Sequence, residues 1–187
     1  WWVINRLAFL VAASNLASFL LYFLQERFPG LQGNAAAQPA TLLVMSTGIA
    51  ILLAALPAGW LADKIGTKPV LAVSGIIAAA GALVVIAAQD MSMMTVGAVL
   101  VGVASGAFYS ANWALGTQLA PQEEAGRYLG ISNLAGAGAG AIGAYIGGPI
   151  GDSAGYVVQM AIYAALFLFS TLALVRIKPA NHRPEHG

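Results

Sequence analysis

The sequence predicts an all-α integral membrane protein whose six transmembrane helices form two inverted three-helix repeats. Three observations predict it. Six long apolar stretches fill the chain almost end to end, and a bilayer core takes roughly 20 apolar residues per helical crossing. The 187 residues are 59% hydrophobic and 8% charged, with a mean hydropathy of +0.80, which leaves too little polar surface to cover an aqueous globule. A turn pattern also recurs: Gly59-x-x-x-Asp63-x-x-Gly66 is echoed by Gly148-x-x-x-Asp152-x-x-Gly155. One copy joins spans two and three and the other joins spans five and six, on opposite sides of the membrane, as inverted triplets require. Gly and Asp are ordinary turn residues, so the echo gains its weight from the matching order of polar helices.

The spans run over about 2–26, 41–62, 69–88, 92–119, 128–150 and 155–175, a six-helix bundle within 1–176 that leaves 177–187 as a cytoplasmic tail. Span one carries Ser14, Asn15, Ser18, Tyr22 and Gln25, of which Asn15, Ser18 and Tyr22 recur on one helical face. The connection 27–39 holds Pro29, Gly30, Gly33, Asn34 and Pro39 and reads as an irregular external loop. Span two contains Pro57, a candidate kink. Span three is nearly uniform Ala, Val, Leu and Ile apart from Ser74, and span six is similar apart from Gln159, Ser170 and Thr171, which predicts peripheral, lipid-facing helices. Span four bears a stripe of Gly102, Ser105, Tyr109, Asn112 and Gly116.

Polar groups in hydrocarbon are costly unless paired or wetted, so the stripes of spans one and four face protein or a water-filled cavity. Interhelical hydrogen bonding is one reading of them and a cavity the other. Span five holds Gly136 with Gly140 and Gly143 with Gly147 at small-xxx-small spacing, which lets helix backbones approach closely; a glycine surface for sliding or bending is the functional alternative.

Charge placement sets the orientation. Arg6, Lys64, Lys68, Arg127, Arg176, Lys178 and Arg183 fall on one side of a six-span chain and only Arg27 on the other, so both termini are expected in the cytoplasm, with the protein in the plasma (inner) membrane. The net charge of +1 is scattered over helix ends, which excludes a nucleic-acid face. With no cysteine there is neither a disulfide framework nor a thiolate metal site. The first span is too long for a signal peptide, and Trp1 is not a start methionine, so the chain is expected to be a piece of a longer protein or a processed product.

The sharpest local motif is the turn Gly59-Trp60-Leu61-Ala62-Asp63-Lys64-Ile65-Gly66-Thr67-Lys68. Gly59 permits close helix contact, Asp63 suits nearby helix N-terminal amides, and Gly66 relieves the reversal. Here the chain resembles the major facilitator superfamily, whose turn reads G-x-L-A-D-R/K-x-G-R-K/R; Thr67 replaces a basic residue. The resemblance implies one half of a twelve-helix transporter, and the opening at Trp1, the segment with Gly126-Arg127 and the short tail fit the C-terminal half. The Gly148-Pro149 pair only approximates the antiporter pattern, since Ala144 stands where that pattern has glycine.

The expected function is therefore secondary transport of a small polar or amphipathic solute by alternating access, with spans one and four lining the path as the equivalent helices of the family do. Asn15, Tyr22, Tyr109 and Asn112 are the candidate solute contacts, with Trp113 a weaker one. Gly59, Asp63, Lys64, Gly66, Lys68 and Arg127 form the gating turn, Arg127 being a candidate ion partner of Asp63. No Asp, Glu or His lies near the middle of a span, so coupling chemistry is assigned to the other half or the carrier is a uniporter. Both histidines, His182 and His186, are in the tail, and no catalytic set or phosphate loop is present, which excludes an enzyme and gives no cofactor. The tail reads as a disordered end, a metal role for His182, Glu185 and His186 being the lesser reading. The expected partners are a solute, the bilayer, and the missing six-helix half or a second copy. A non-transporting scaffold or accessory subunit and a half-size homodimeric carrier are the competing functions.

Overall fold

The structure is a computed structural model that describes residues 1–120 and 124–177. Its helices are α1 (Trp2–Ser18), α2 (Leu20–Arg27), α3 (Ala37–Ile65), α4 (Thr67–Ala87), α5 (Met91–Leu119), α6 (Ala125–Ala154) and α7 (Tyr156–Ala173), with short 3-10 turns at Gly33–Ala36 and Leu174–Arg176. Among the described residues five helices are long and apolar enough to cross a membrane, and α1 with α2, bent by 55°, makes a sixth when the pair is taken as one span. The all-helical, multi-pass character expected from composition is therefore present. The predicted tail, with Lys178, His182, Arg183, Glu185 and His186, lies outside the described residues.

The bend at Phe19 was not foreseen as a break in span one. Its cause is local. Ser14 Oγ donates to Leu10 O at 2.5 Å, Asn15 Nδ2 to Val11 O at 2.9 Å and Ser18 Oγ to Ser14 O at 2.9 Å. Three side chains thus return to carbonyls one turn back and compete with the backbone ladder just before the bend. At the other end of span five, the helix runs through Pro149 to Ala154 rather than stopping near residue 150, because one proline removes a single ladder bond while four further residues still pair.

The two echoed turns share one geometry. Gly66 has φ 95° and ψ 154°, Gly155 has φ 89° and ψ 154°, and each N–H donates at 2.9 Å to the carbonyl four residues back, Ala62 and Gly151. This backbone region admits glycine and strains other residues. The repeat seen in sequence is thus a repeat in conformation.

Packing is uneven. The helix α4 lies between α5 and α7, α3 lies on α5, and α1 lies against α6 and α7. In the most apolar window of each helix, half of α4 and 44% of α7 is buried, against 17% for α3 and for α6. This corrects the expectation of purely lipid-facing third and sixth spans: their uniform apolarity serves packing on one side and lipid on the other. Glycines set the close approaches. A Cβ on Gly102 or Gly106 would meet α3 at Thr47 and Ala50 or at Ile51 and Ala54, and one on Gly143 would collide with the Asn15 amide. Gly140 has nothing within 4 Å, so only part of the predicted small-residue stripe of α6 is a contact. Phe9 of α1 stacks on Phe108 of α5 at 3.7 Å and meets Phe167 of α7 edge-on at 4.9 Å, which ties three helices at one point.

Candidate functional site

The polar residues of α1 and α5 divide into a buried row and an exposed row. Asn15 is 1% exposed, and its Nδ2 reaches Ala139 O of α6 at 3.2 Å as well as its own helix. Asn112 is fully buried. Both sit in helix-to-helix contacts in this state. Tyr22 and Tyr109, at 49% and 39% exposed, lie on open surface, as does Trp113. They are not one cluster: Tyr22 stacks on Tyr156 of α7 at 5.5 Å and 15°, whereas Tyr109 lies against Phe108 within α5 at 6.5 Å.

Tyr109 also lines a crevice of about 260 Å³ between α1, α3 and α5, with Ser14, Thr47 and Ser105 among its polar walls. The rest of its lining is largely apolar, with Leu16, Leu20, Ile51 and Val101. An apolar cleft with a few hydroxyls suits a small amphipathic molecule. Of the four solute contacts expected from sequence, only Tyr109 lies in this crevice.

Sequence reasoning treated Arg6 as a topology marker and missed its place in a buried relay. Its Nη1 donates to Asn112 Oδ1 at 2.9 Å and its Nε to Ser132 O of α6 at 3.3 Å. Asn112 Nδ2 then donates to Asn5 Oδ1 at 2.9 Å, and Asn5 Nδ2 donates to Ser170 O and Oγ of α7 at 2.8 and 2.9 Å. The direction of the relay fixes both amide orientations, since flipping Asn112 would set an NH2 group against the guanidinium. The Trp2 indole closes the group by donating to Asn112 O at 3.3 Å. The signal available in the sequence was the spacing of Trp2, Asn5 and Arg6 opposite Asn112, one end of each polar stripe.

The gating turn is arranged differently from the expectation. Gly59 sits against α5, where a Cβ would meet Ser110 Oγ at 2.8 Å. Arg127 pairs with Glu124 at 3.5 Å, and both side chains are well exposed. Among the described residues Asp63 forms no ion pair and does not cap α4. Lys64 lies over the Trp60 ring at 3.8 Å, and Lys68 Nζ donates to Ile177 O, fastening the start of α4 to the chain after α7. On the opposite end, Arg27 Nε donates to Ala88 O at the C-terminus of α4 at 3.1 Å. That bond accounts for Arg27, the one cation at this end among the described residues, because a helix C-terminus attracts positive charge.

Among curated proteins, the minor myo-inositol transporter IolF of Bacillus subtilis (strain 168) is 26% identical over 130 residues, 70% of this chain and 30% of that relative. The aligned part thus covers under a third of the relative's length. The sequence profile of the Major Facilitator Superfamily matches residues 4–187, nearly the whole chain. With the turn motif, the inverted turns and the membrane-length helices, that match makes the chain a member of the Major Facilitator Superfamily.

Proposed function

We propose that this chain is one six-helix half of a secondary carrier, and that it forms one wall of an alternating-access path for a small solute. The observation that carries this reading is the crevice between α1, α3 and α5, where Tyr109, Ser14 and Thr47 offer polar groups in a largely apolar lining. Family membership and the likeness to a transporter of myo-inositol support a solute with several hydroxyls. Tyr109 is the first direct contact, with Tyr22 at the outer end of the same path. Asn15 and Asn112 hold the helices in the present state and reach the solute when α1 moves against α5 and α6.

The second six helices cover α3 and α6, the two membrane-length helices whose most apolar windows are least buried, at 17% each. Leu52, Leu53 and Leu56 of α3 and Leu134 and Tyr145 of α6 are each more than 70% exposed. Either six further helices of the parent protein or a second copy of this chain meets that demand. Orientation follows the positive-inside rule, with the turn at Lys64 and Lys68 in the cytoplasm of a plasma-membrane protein.

The full-length parent, reconstituted in liposomes, tests the carrier reading. Uptake of radiolabelled myo-inositol and other small hydroxylated solutes is expected above that of empty liposomes, and Tyr109→Ala is expected to weaken half-saturation by about tenfold, near 1.4 kcal/mol. Absence of uptake and of counterflow for every solute, by protein that is folded and correctly inserted, favours the scaffold function.

A further inference from the structure

We infer that Arg6 is a counter-ion for a solute carboxylate, so that the carrier moves an organic monoanion; this rests on the carrier reading above. The guanidinium is half-buried between α1, α5 and α6. Its two hydrogen-bond acceptors, Asn112 Oδ1 and Ser132 O, are both neutral. Among the described residues no carboxylate lies within ion-pair distance of it. Buried charges are ordinarily paired, and an ionisable residue within a membrane span marks a ligand path more often than a structural one.

The donor count points the same way. A guanidinium has five N–H groups, and the two bonds named above leave three, on Nη1 and on Nη2, without an acceptor among the described residues. Adjacent N–H groups on those two nitrogens form the fork that grips a carboxylate through both oxygens. Gly136 of α6 lies beside Nη2, where a Cβ would stand 3.8 Å from that nitrogen, so the glycine adds no side chain in front of it. The relay through Asn112 and Asn5 to Ser170 holds the arginine in place in the present state. Ser132, whose carbonyl takes the Nε bond, also carries a buried hydroxyl without a partner among the described residues, a further donor at this place.

A single cation selects the charge of the ligand. One guanidinium neutralises a carboxylate, whereas a phosphate monoester near −2 would leave a full negative charge in the membrane. The Trp113 ring, 6.0 Å from the guanidinium carbon, adds an apolar face beside the fork.

The test measures binding to the purified full-length parent by equilibrium dialysis of labelled pairs that differ in a carboxylate: glucuronate with myo-inositol, gluconate with sorbitol, and lactate with propane-1,2-diol. At least one acid is expected to bind tenfold or more tighter than its neutral counterpart. Arg6→Gln removes that preference, and Arg6→Lys, which keeps charge without the fork, retains part of it. Gly136→Asp supplies a competing carboxylate beside Nη2 and abolishes the preference without deleting the arginine, which covers the case of a misfolded Arg6→Gln. Equal or better binding of the neutral members overturns the inference, and so does a preference for acids that survives both Arg6→Gln and Gly136→Asp. Binding of neither class by the folded parent sinks the carrier reading itself.

Discussion

The Asn112 carboxamide accepts from Arg6 and donates to Asn5, with 2.9 Å at both ends. One amide thus connects α1 to itself through α5, and by way of Asn5 it extends to Ser170 of α7. In a membrane protein such a relay has few substitutes, because lipid offers no replacement hydrogen bond to a group left unpaired.

Asn112→Leu is therefore expected to destabilise the protein by about 2–4 kcal/mol, since the fully buried Asn5 and the half-buried Arg6 both lose a partner. Asn112→Asp is expected to cost less, because the new carboxylate pairs with Arg6 even as the bond to Asn5 is lost. Thermal unfolding of the detergent-purified parent measures both. Equal stability of Asn112→Leu and the unchanged protein would show the relay to be dispensable.

Gly66→Ala and Gly155→Ala are each expected to cost about 1–3 kcal/mol, because φ near 90° strains any residue with a Cβ. Their near-identical angles predict near-identical penalties. A loss at one turn with none at the other would mean that the repeat is not energetically equivalent. The measurement is again the unfolding transition, compared at matched detergent.

The glycines of α6 separate by contact. Gly143→Val drives a side chain into the Asn15 amide and is expected to force α1 from α6, at about 1–3 kcal/mol, whereas Gly140→Ala meets open space and is expected to be neutral in the isolated half. Disulfide trapping between cysteines at 10 and 136, which face each other across α1 and α6 and leave Asn15 in place, reports the helix separation directly. Undiminished trapping in Gly143→Val would contradict the tight contact.

Six spans, their order and the twin turns were legible in the sequence because hydrocarbon thickness and backbone pairing leave few alternatives for so apolar a chain. The turn at Gly66 could be read residue by residue, since positive φ selects glycine. The site was less legible. Asn15 and Tyr22 share a helical face by spacing, yet the 55° bend at Phe19 parts them, and helical periodicity assumes a straight axis. Arg6 was hidden for another reason: a cation near a helix end satisfies the positive-inside rule, and nothing local says that Asn112 lies opposite. Spacing also marks a polar stripe without telling which of its members point to a neighbour and which to open space.

The outer end of the bent span carries its own prediction. Glu26 Oε2 accepts from Tyr156 N at 2.7 Å, so a side chain of α2 caps the first turn of α7. A carboxylate there satisfies one free amide and complements the positive end of the helix. Glu26→Ala is expected to remove about 1 kcal/mol and to raise amide exchange in α2 more than in α1, because the cap joins α2 to α7 beside the Tyr22–Tyr156 stack, while the Arg27–Ala88 bond and buried Phe23 and Leu24 remain. Uniform exchange along residues 2–27, before and after the substitution, would rule the tie out.

The last prediction separates the exposed row from the buried one. Cysteines at Ser14 and Tyr109, on the crevice between α1, α3 and α5, are expected to react quickly with a small hydrophilic thiol reagent in the full-length parent and to be protected by a bound solute. Cysteines at Asn15 and Asn112 are expected to react only when turnover moves the helices, because both amides are sealed in contacts in the present state. Val84 and Leu166, on the apolar helices, serve as controls and should stay inert. If 15 and 112 remain as inert as the controls throughout turnover, the asparagines are fixed interhelical bonds. If 14 and 109 are inert as well, the crevice is filled by lipid or by the second six helices, and the transport path runs elsewhere.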